Sequence, residues 1–430
     1  MAAVHVPTPL SRLFQEPFGF VSAAEGFVFL GACLAGFIYG KTYARDGWSA
    51  MSRRTWKRLT QIYQVHLGLL VPIALLAWVI GQRSIPLSNH FHDFLLYPWS
   101  SLGLILLLLH QPPLFDILPL YVLLLAATPS ILQCARKSGW GKVLAGSAVL
   151  WLVAQLKITD SWLGDPASLL PLRLGSFSVF AWQLLWVCGL ALGETSLRRS
   201  LIQPKHRLSV GTLAGLFVIG GFLARHGLWP QGWHLETLYN WIDKWTLGPL
   251  RLVNFGAWVV LLLAWRPPLP SLFSPLAVLG RHSLAVFSFH VPIAIAATIL
   301  IETFGLSLGE QTTVGLVVIA SLFAWAAWLE KRRLRVAEAK QVQAQATGAE
   351  TSVIRIPVSE YESPCFRVSV RRNTRSSGRP KFKLVQEPMW YLSAESVNSA
   401  RNRRLPPLGE TVRLAEQLFL YQPGRGPPAL

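Results

Sequence analysis

The feature that most constrains this chain is a series of apolar stretches, each about as long as a bilayer is thick. A helix needs about 20 mostly apolar residues to cross the hydrocarbon core, and such stretches recur along the chain until about Trp328. The composition, with 52% hydrophobic and 14% charged residues, also differs from that of an average soluble domain. We therefore expect an all-α fold, a polytopic bundle of transmembrane helices.

Hydropathy predicts about nine spans. They lie near residues 18–40, 65–81, 114–130, 142–157, 178–194, 208–226, 250–266, 283–303 and 311–329. A shorter apolar stretch at 95–110 decides the topology, because all the basic loops fall on one side of the membrane only if this stretch does not cross. We expect it to lie in the outer interface or to re-enter the same face.

The net charge of +19 is explained by membrane topology rather than by nucleic acid. Lys and Arg cluster in the short loops between spans, and the positive-inside rule places such loops in the cytoplasm. We therefore expect the lipid bilayer as a partner and no nucleic acid. The segment 336–430 is basic and rich in Ser, Pro and Arg, so we expect a largely disordered tail of unknown role after a membrane domain at 1–335.

Acidic side chains near two spans are candidates for function. Glu25 falls on the same helical face as the small residues Ala32, Gly36 and Gly40, a spacing that lets membrane helices approach closely. A carboxylate in a span is costly, so Glu25 is either functional or the ion-pair partner of an arginine. Asp116 precedes an apolar stretch, where capping the helix is the simpler explanation. No Cys/His spacing indicates a metal site, and we expect no bound cofactor.

Five sequence blocks match one known family in order and spacing over residues 5–329. They are EPFGFVSAAEGFVFLGACLAGFIYG, HQPPLFDILPLY, FAWQLLWVCG, DKWTLGPLRL and LGRHSLAVFSFH. They resemble the OpgC family, bacterial membrane acyltransferases that succinylate osmoregulated periplasmic glucans. Family members usually begin with one further span that ends close to the position of His5. The resemblance thus also leads us to expect a missing first span, with an inactive truncated chain as one alternative.

The resemblance implies an O-acyltransferase of the bacterial inner membrane. It would take succinyl, or a similar acyl group, from cytoplasmic acyl-CoA as co-substrate and deliver it to hydroxyls of a periplasmic glucan. It implies that His5 is the general base, with Glu25 or Asp116 orienting the imidazole. The alternative from another class is a glycan or lipid transporter or flippase, in which buried ionisable groups form a substrate or proton path.

Further residues are candidates for binding. On the substrate side they are Gln183, Trp182, Arg251 and His290. For Arg251 the alternatives are an anion contact, such as a carboxylated acyl group, or snorkelling to the interface, and for Gln183 and Trp182 helix packing is equally open.

The remaining candidates are cations at the inner face and aromatic rings in an outer loop. The cations expected to contact the acyl-CoA phosphates are Arg45, Arg53, Arg54 and Arg281. The rings that could form either a sugar-stacking platform or an interfacial belt are Trp229, Trp233, Trp241 and Trp245.

Overall fold

The computed structural model describes residues 2–80, 91–156, 175–196, 206–228, 238–265, 273–346, 351–354, 366–371 and 385–388. The chain divides into two compact units, Met1–Arg332 and Arg333–Leu430. The described residues of the first unit are helices and their connections. The second unit contains the end of the last helix and three short strands.

The helices follow the predicted spans. They are α1 (Ala2–His5), α2 (Pro9–Phe14), α3 (Ala23–Ile80), α4 (His92–Leu96), α5 (Pro98–Leu106), α6 (Ile117–Ser138), α7 (Trp140–Gln155), α8 (Val179–Ser196), α9 (Arg207–Arg225), α10 (Tyr239–Ile242), α11 (Pro249–Trp265), α12 (Ser274–Arg281), α13 (Ser283–Phe304) and α14 (Leu308–Ala346). Among the described residues, five helices are long and apolar enough to cross a membrane, namely α3, α6, α9, α13 and α14, and α8 and α11 are shorter apolar helices. The predicted all-helical membrane bundle is confirmed.

Helix α3 joins two predicted spans, 18–40 and 65–81, through a break at Gly47. There the backbone adopts φ 82° and ψ 177°, which is not helical. A positive φ is readily available to glycine because it has no Cβ. The break falls in the basic segment between the two spans, so the chain changes direction where the sequence predicts a loop.

The apolar stretch at 95–110 forms two short helices rather than one long one. Helix α5 has nine residues and rises about 14 Å at 1.5 Å per residue. A bilayer core is about 30 Å thick. The stretch is therefore too short, as folded, to cross as a helix, in agreement with the predicted topology.

In the second unit, β1 (Thr351–Ile354), β2 (Phe366–Arg371) and β3 (Val385–Pro388) form an antiparallel sheet in that order. Val353 pairs with Ser369, and Val368 pairs with Gln386. The sequence did not predict these strands. Because most of the tail lies outside the described residues, its largely disordered character stays a prediction.

Helices α3 and α8 pack against each other through small residues. Gly36 lies against the backbone of Leu190, and Gly193 lies against the backbone of Cys33. Gly189 faces the Cβ of Ala32. The predicted close approach along the face of Ala32 and Gly36 is confirmed, and it holds α3 in the position that fixes Glu25.

We expect Gly36→Ala to destabilise the chain, because a Cβ at this position collides with the backbone of α8. Overpacking of this kind costs about 1–3 kcal/mol, and it should lower the thermal unfolding midpoint in detergent. Gly26→Ala is the matched control on the same helix, since open space surrounds its Cβ position. Equal midpoints for the two variants would contradict the packing described here.

Candidate active site

A buried ion-pair network joins the start of α3 to the start of α11. Arg251 Nη1 donates to Glu25 Oε1 at 2.7 Å, Nη2 donates to Glu16 Oε1, and Nε donates to the Ile242 carbonyl at 2.9 Å. The second carboxylate oxygen of Glu16 pairs with Arg225 Nε at 2.6 Å. Because Glu25 and Arg251 are 0% and 3% exposed, each charge is compensated inside the bundle, as buried charges must be.

The other oxygen of Glu25 is also bonded. Glu25 Oε2 accepts from the backbone N–H of Ser22 at 2.9 Å and from the Ser22 hydroxyl at 2.5 Å. Of the two roles left open for Glu25, the structure supports partnership with an arginine. The same contacts occupy Nε and both terminal nitrogens of Arg251, for which an anion contact and snorkelling to the interface were the two alternatives.

His5 lies against His290 rather than against a carboxylate. His5 Nδ1 and His290 Nε2 are 3.1 Å apart, and the ring centroids are 4.9 Å apart. Phe287 packs edge-on against His290. The structure thus brings together two predicted site residues whose contact was not anticipated, and it differs from the expectation that Glu25 or Asp116 orients His5.

The turn at 243–248, between α10 and α11, is fixed by side chains of two neighbouring helices. The indole of Trp182 donates to the carbonyls of Lys244 and Trp245 at 3.3 and 3.1 Å. Gln155 donates to the Thr246 carbonyl at 2.7 Å, and the indole of Trp151 donates to the Leu247 carbonyl at 2.9 Å. Within the turn, Asp243 accepts from the backbone and the hydroxyl of Thr246. The indole of Trp182 therefore positions this turn.

The side chain of Lys244 leaves this turn beside two aromatic rings. Its ammonium lies 5.0 Å from the centroid of the Trp245 ring and 5.7 Å from that of Phe177, an arrangement that stabilises a cation. Burial lowers the pKa of Lys244, while the charge of Glu25 opposes that shift. Sequence reasoning missed this residue, although it lies in the DKWTLGPLRL block.

Asp116 precedes α6 but makes no side-chain cap hydrogen bond to that helix. Its Oδ2 instead accepts from the backbone N–H of Ser176 at 3.4 Å. Burial raises the pKa of Asp116, and the positive charge of Lys244 acts in the opposite direction. The capping explanation is therefore wrong for the side chain, and Asp116 belongs to the surroundings of Lys244.

Gln183 contacts a neighbouring helix. Its Oε1 accepts from the Ser147 hydroxyl at 2.6 Å, and its Nε2 donates to the Ser147 carbonyl at 2.8 Å. These bonds join α8 to α7, which is the packing role that was left open. Of the four loop tryptophans, Trp241 and Trp245 are exposed, and Trp229 and Trp233 lie outside the described residues.

A cavity of about 620 Å³ opens at the opposite end of the bundle, among basic residues. It is lined by Arg58, Gln61, Val65, Arg281, His282, Ser283, Leu284, Ala285, Ser288, Phe289, Pro292 and Trp325. Arg281 lines this cavity as well as pairing with Glu330 at 3.2 Å. The other three predicted cations do not line it: Arg45 pairs with Asp46, Arg54 donates to Thr42, and Arg53 is exposed.

Comparison with known proteins identifies a family. The family model described as OpgC protein matches residues 1–334, more than three quarters of the 430 residues. The chain belongs to the OpgC family. Membership supports a membrane acyltransferase-type function in glucan modification. No curated protein and no solved structure matches the chain.

We expect Arg251→Met to destabilise the protein strongly, because it leaves the carboxylate of Glu25 buried without its arginine. Breaking a buried pair in this way costs about 3–5 kcal/mol, measured as a loss in the free energy of unfolding in detergent. Arg225→Met should cost less than about 1 kcal/mol, since the Arg225 side chain is 35% exposed. Adding Glu25→Gln to Arg251→Met should recover part of the loss, and a further loss instead would contradict the pairing.

Proposed function

We propose that this chain transfers succinyl, or a similar acyl group, from cytoplasmic acyl-CoA to hydroxyls of periplasmic glucans in the bacterial inner membrane. The observation that carries the proposal is the His5–His290 pair, 3.1 Å apart, in a chain that belongs to the OpgC family. The ring of Phe287 packs edge-on against His290 in this pair. Acyl transfer needs a base for the hydroxyl proton and positive groups for the developing oxyanion.

The tautomer of the histidine pair decides which nitrogen acts. If His5 Nδ1–H donates to His290 Nε2, then His5 Nε2 keeps its lone pair and can accept the proton of a sugar hydroxyl. The hydroxyl oxygen then forms a bond to the thioester carbonyl carbon. The carbon–sulfur bond breaks, and the thiolate of CoA leaves and takes up the proton. His290 is in this scheme a positioning residue that holds the imidazole of His5 in the reactive tautomer.

Helix α13 contributes residues both to the cavity and to the histidine pair. Ser288 and Phe289, which line the cavity, directly precede His290 in the chain, and Pro292 follows within one helical turn. An acyl-CoA whose phosphates meet Arg58 and Arg281 would therefore bind along one face of the helix that carries His290, while His290 itself lies on another face and does not line the cavity. This arrangement supports a donor that enters from the basic end, which the positive-inside rule assigns to the cytoplasm.

The function is tested by expressing the chain in a strain that lacks glucan succinylation and measuring the charge and mass of its periplasmic glucans. We expect anionic glucans from the wild type and neutral ones from His5→Ala, because the general base is lost. His206→Ala is the control, since His206 is exposed. His290→Gln should keep more activity than His290→Leu, because the Gln carbonyl can accept from His5 Nδ1–H. Neutral glucans from the wild type would favour a transporter.

For the donor site, we expect Arg58→Gln and Arg281→Gln each to raise the KM for acyl-CoA about tenfold with little change in kcat. The reason is the loss of a hydrogen bond to a charged phosphate, worth about 1.5 kcal/mol or more. Lys57→Gln is the matched control, because Lys57 is exposed beside Arg58 and does not line the cavity. An unchanged KM in both arginine variants would place the donor elsewhere.

A further inference from the structure

The histidine pair contacts a series of aromatic rings that leads to two other helices. Phe287 packs edge-on against His290, with ring centroids 5.7 Å apart and planes at 64°. Phe287 also stacks on Phe27 of α3, with centroids 6.4 Å apart and planes at 21°. Both distances lie in the range in which aromatic pairs attract each other. The position of His290 is therefore linked to the place where α3 holds the ring of Phe27.

Phe27 is in turn fixed by Tyr121 of α6. The Tyr121 hydroxyl donates to the Phe27 carbonyl at 2.5 Å, and the two ring centroids lie 5.1 Å apart. The side chain of Tyr121 is buried, so breaking this bond would leave a hydroxyl unpaired inside the bundle. One side chain thus contacts both the backbone and the ring of Phe27.

Gly31 leaves the space that this hydrogen bond needs. A Cβ at position 31 would lie 2.3 Å from the Tyr121 hydroxyl oxygen and 3.1 Å from two of its ring carbons. Gly31 follows Phe27 by four residues, about one turn of the helix. Glycine at this place therefore allows the hydroxyl to reach a carbonyl that a larger residue would shield.

The ring of Tyr121 is held by a buried tryptophan. It packs edge-on against Trp186 of α8, with centroids 5.2 Å apart and planes at 83°. The Trp186 indole is fully buried and donates to the Thr128 hydroxyl at 3.0 Å. Because Thr128 belongs to α6, as Tyr121 does, these contacts fix the Tyr121 ring between α6 and α8.

We propose that Tyr121 is a positioning residue for acyl transfer, which holds His290 in place against His5 through Phe27 and Phe287. This inference rests on the proposed acyltransferase function and deepens it. The bond between the two histidines, at 3.1 Å, tolerates little displacement, because hydrogen bonds weaken steeply with poor geometry. Without the Tyr121 hydroxyl, Phe27 and Phe287 can shift, and His5 is less often held in the tautomer that presents Nε2 as a base.

The test measures acyl transfer from succinyl-CoA to a periplasmic glucan by the purified full chain in detergent. We expect Tyr121→Phe to lower kcat about tenfold and to leave the KM for succinyl-CoA within about twofold, because the base is misplaced and the donor site is untouched. Tyr63→Phe is the matched control. The Tyr63 hydroxyl also donates to a backbone carbonyl, that of Leu106 at 2.8 Å, and its loss should leave kcat within about twofold.

A double-mutant cycle with His290→Leu distinguishes positioning from a general loss of stability. His290→Leu keeps His5 and hence residual transfer. If Tyr121 acts through His290, Tyr121→Phe should lower kcat by less than about twofold in the His290→Leu background. A purely structural role would lower the amount of active protein by the same factor in both backgrounds.

A second cycle tests the contact itself. Gly31→Ala should reproduce the fall in kcat, since its Cβ displaces the Tyr121 hydroxyl. The same substitution should add little to Tyr121→Phe, because the hydroxyl that it displaces is then absent.

A fall in kcat that is shared by the Tyr121 and Gly31 variants, and that is absent from Tyr63→Phe, supports the proposal. An unchanged kcat in Tyr121→Phe, or additive losses with His290→Leu, overturns the role of Tyr121 while leaving the acyltransferase function intact. A wild-type chain that transfers no acyl group overturns the proposed function, and the role of Tyr121 with it.

Discussion

The bond between Glu25 and Arg251 is the interaction on which the rest of the site depends. It joins residues 226 positions apart, and both are fully or nearly fully buried. Neither charge is tolerable in an apolar bundle without the other, so α3 and α11 can pack in only one register at this end. That register carries the turn before α11, and with it Lys244. An ion pair that contributes little net stability can thus still determine where the reactive groups lie.

The turn at 243–248 is held in place by hydrogen bonds from two neighbouring helices. The carbonyls of the 243–248 turn would otherwise be unsatisfied in an apolar setting, and indole and amide donors from α7 and α8 bond to them. Leu247 in this turn has φ 54° and is fully buried. A branched residue in the left-handed region persists only where its surroundings impose it. The backbone of the turn is therefore fixed, while the side chain of Lys244 can still change its conformation.

Hydropathy and charge could predict the helices, because bilayer thickness sets the length of a span and the basic loops set its direction. The spacing of Ala32 and Gly36 also predicted the face of α3 that meets α8. The partners of the polar residues could not be predicted in this way. Glu25 had several arginines as possible partners, and nothing in a single sequence ranks contacts between distant helices. The bonds from Trp182 to the turn at 243–248 likewise join residues 62 and 63 positions apart.

The sequence blocks that carry the family resemblance supply polar side chains that bond to other parts of the bundle. The five blocks supply, in chain order, Glu25, Asp116, Trp182, Lys244 and His290. Glu25 of the first block pairs with Arg251 of the fourth, and Trp182 of the third block bonds to the carbonyl of Lys244 in the fourth. His290 of the fifth block contacts His5. The resemblance therefore includes polar side chains that bond distant helices together, and not only the apolar residues that form the spans.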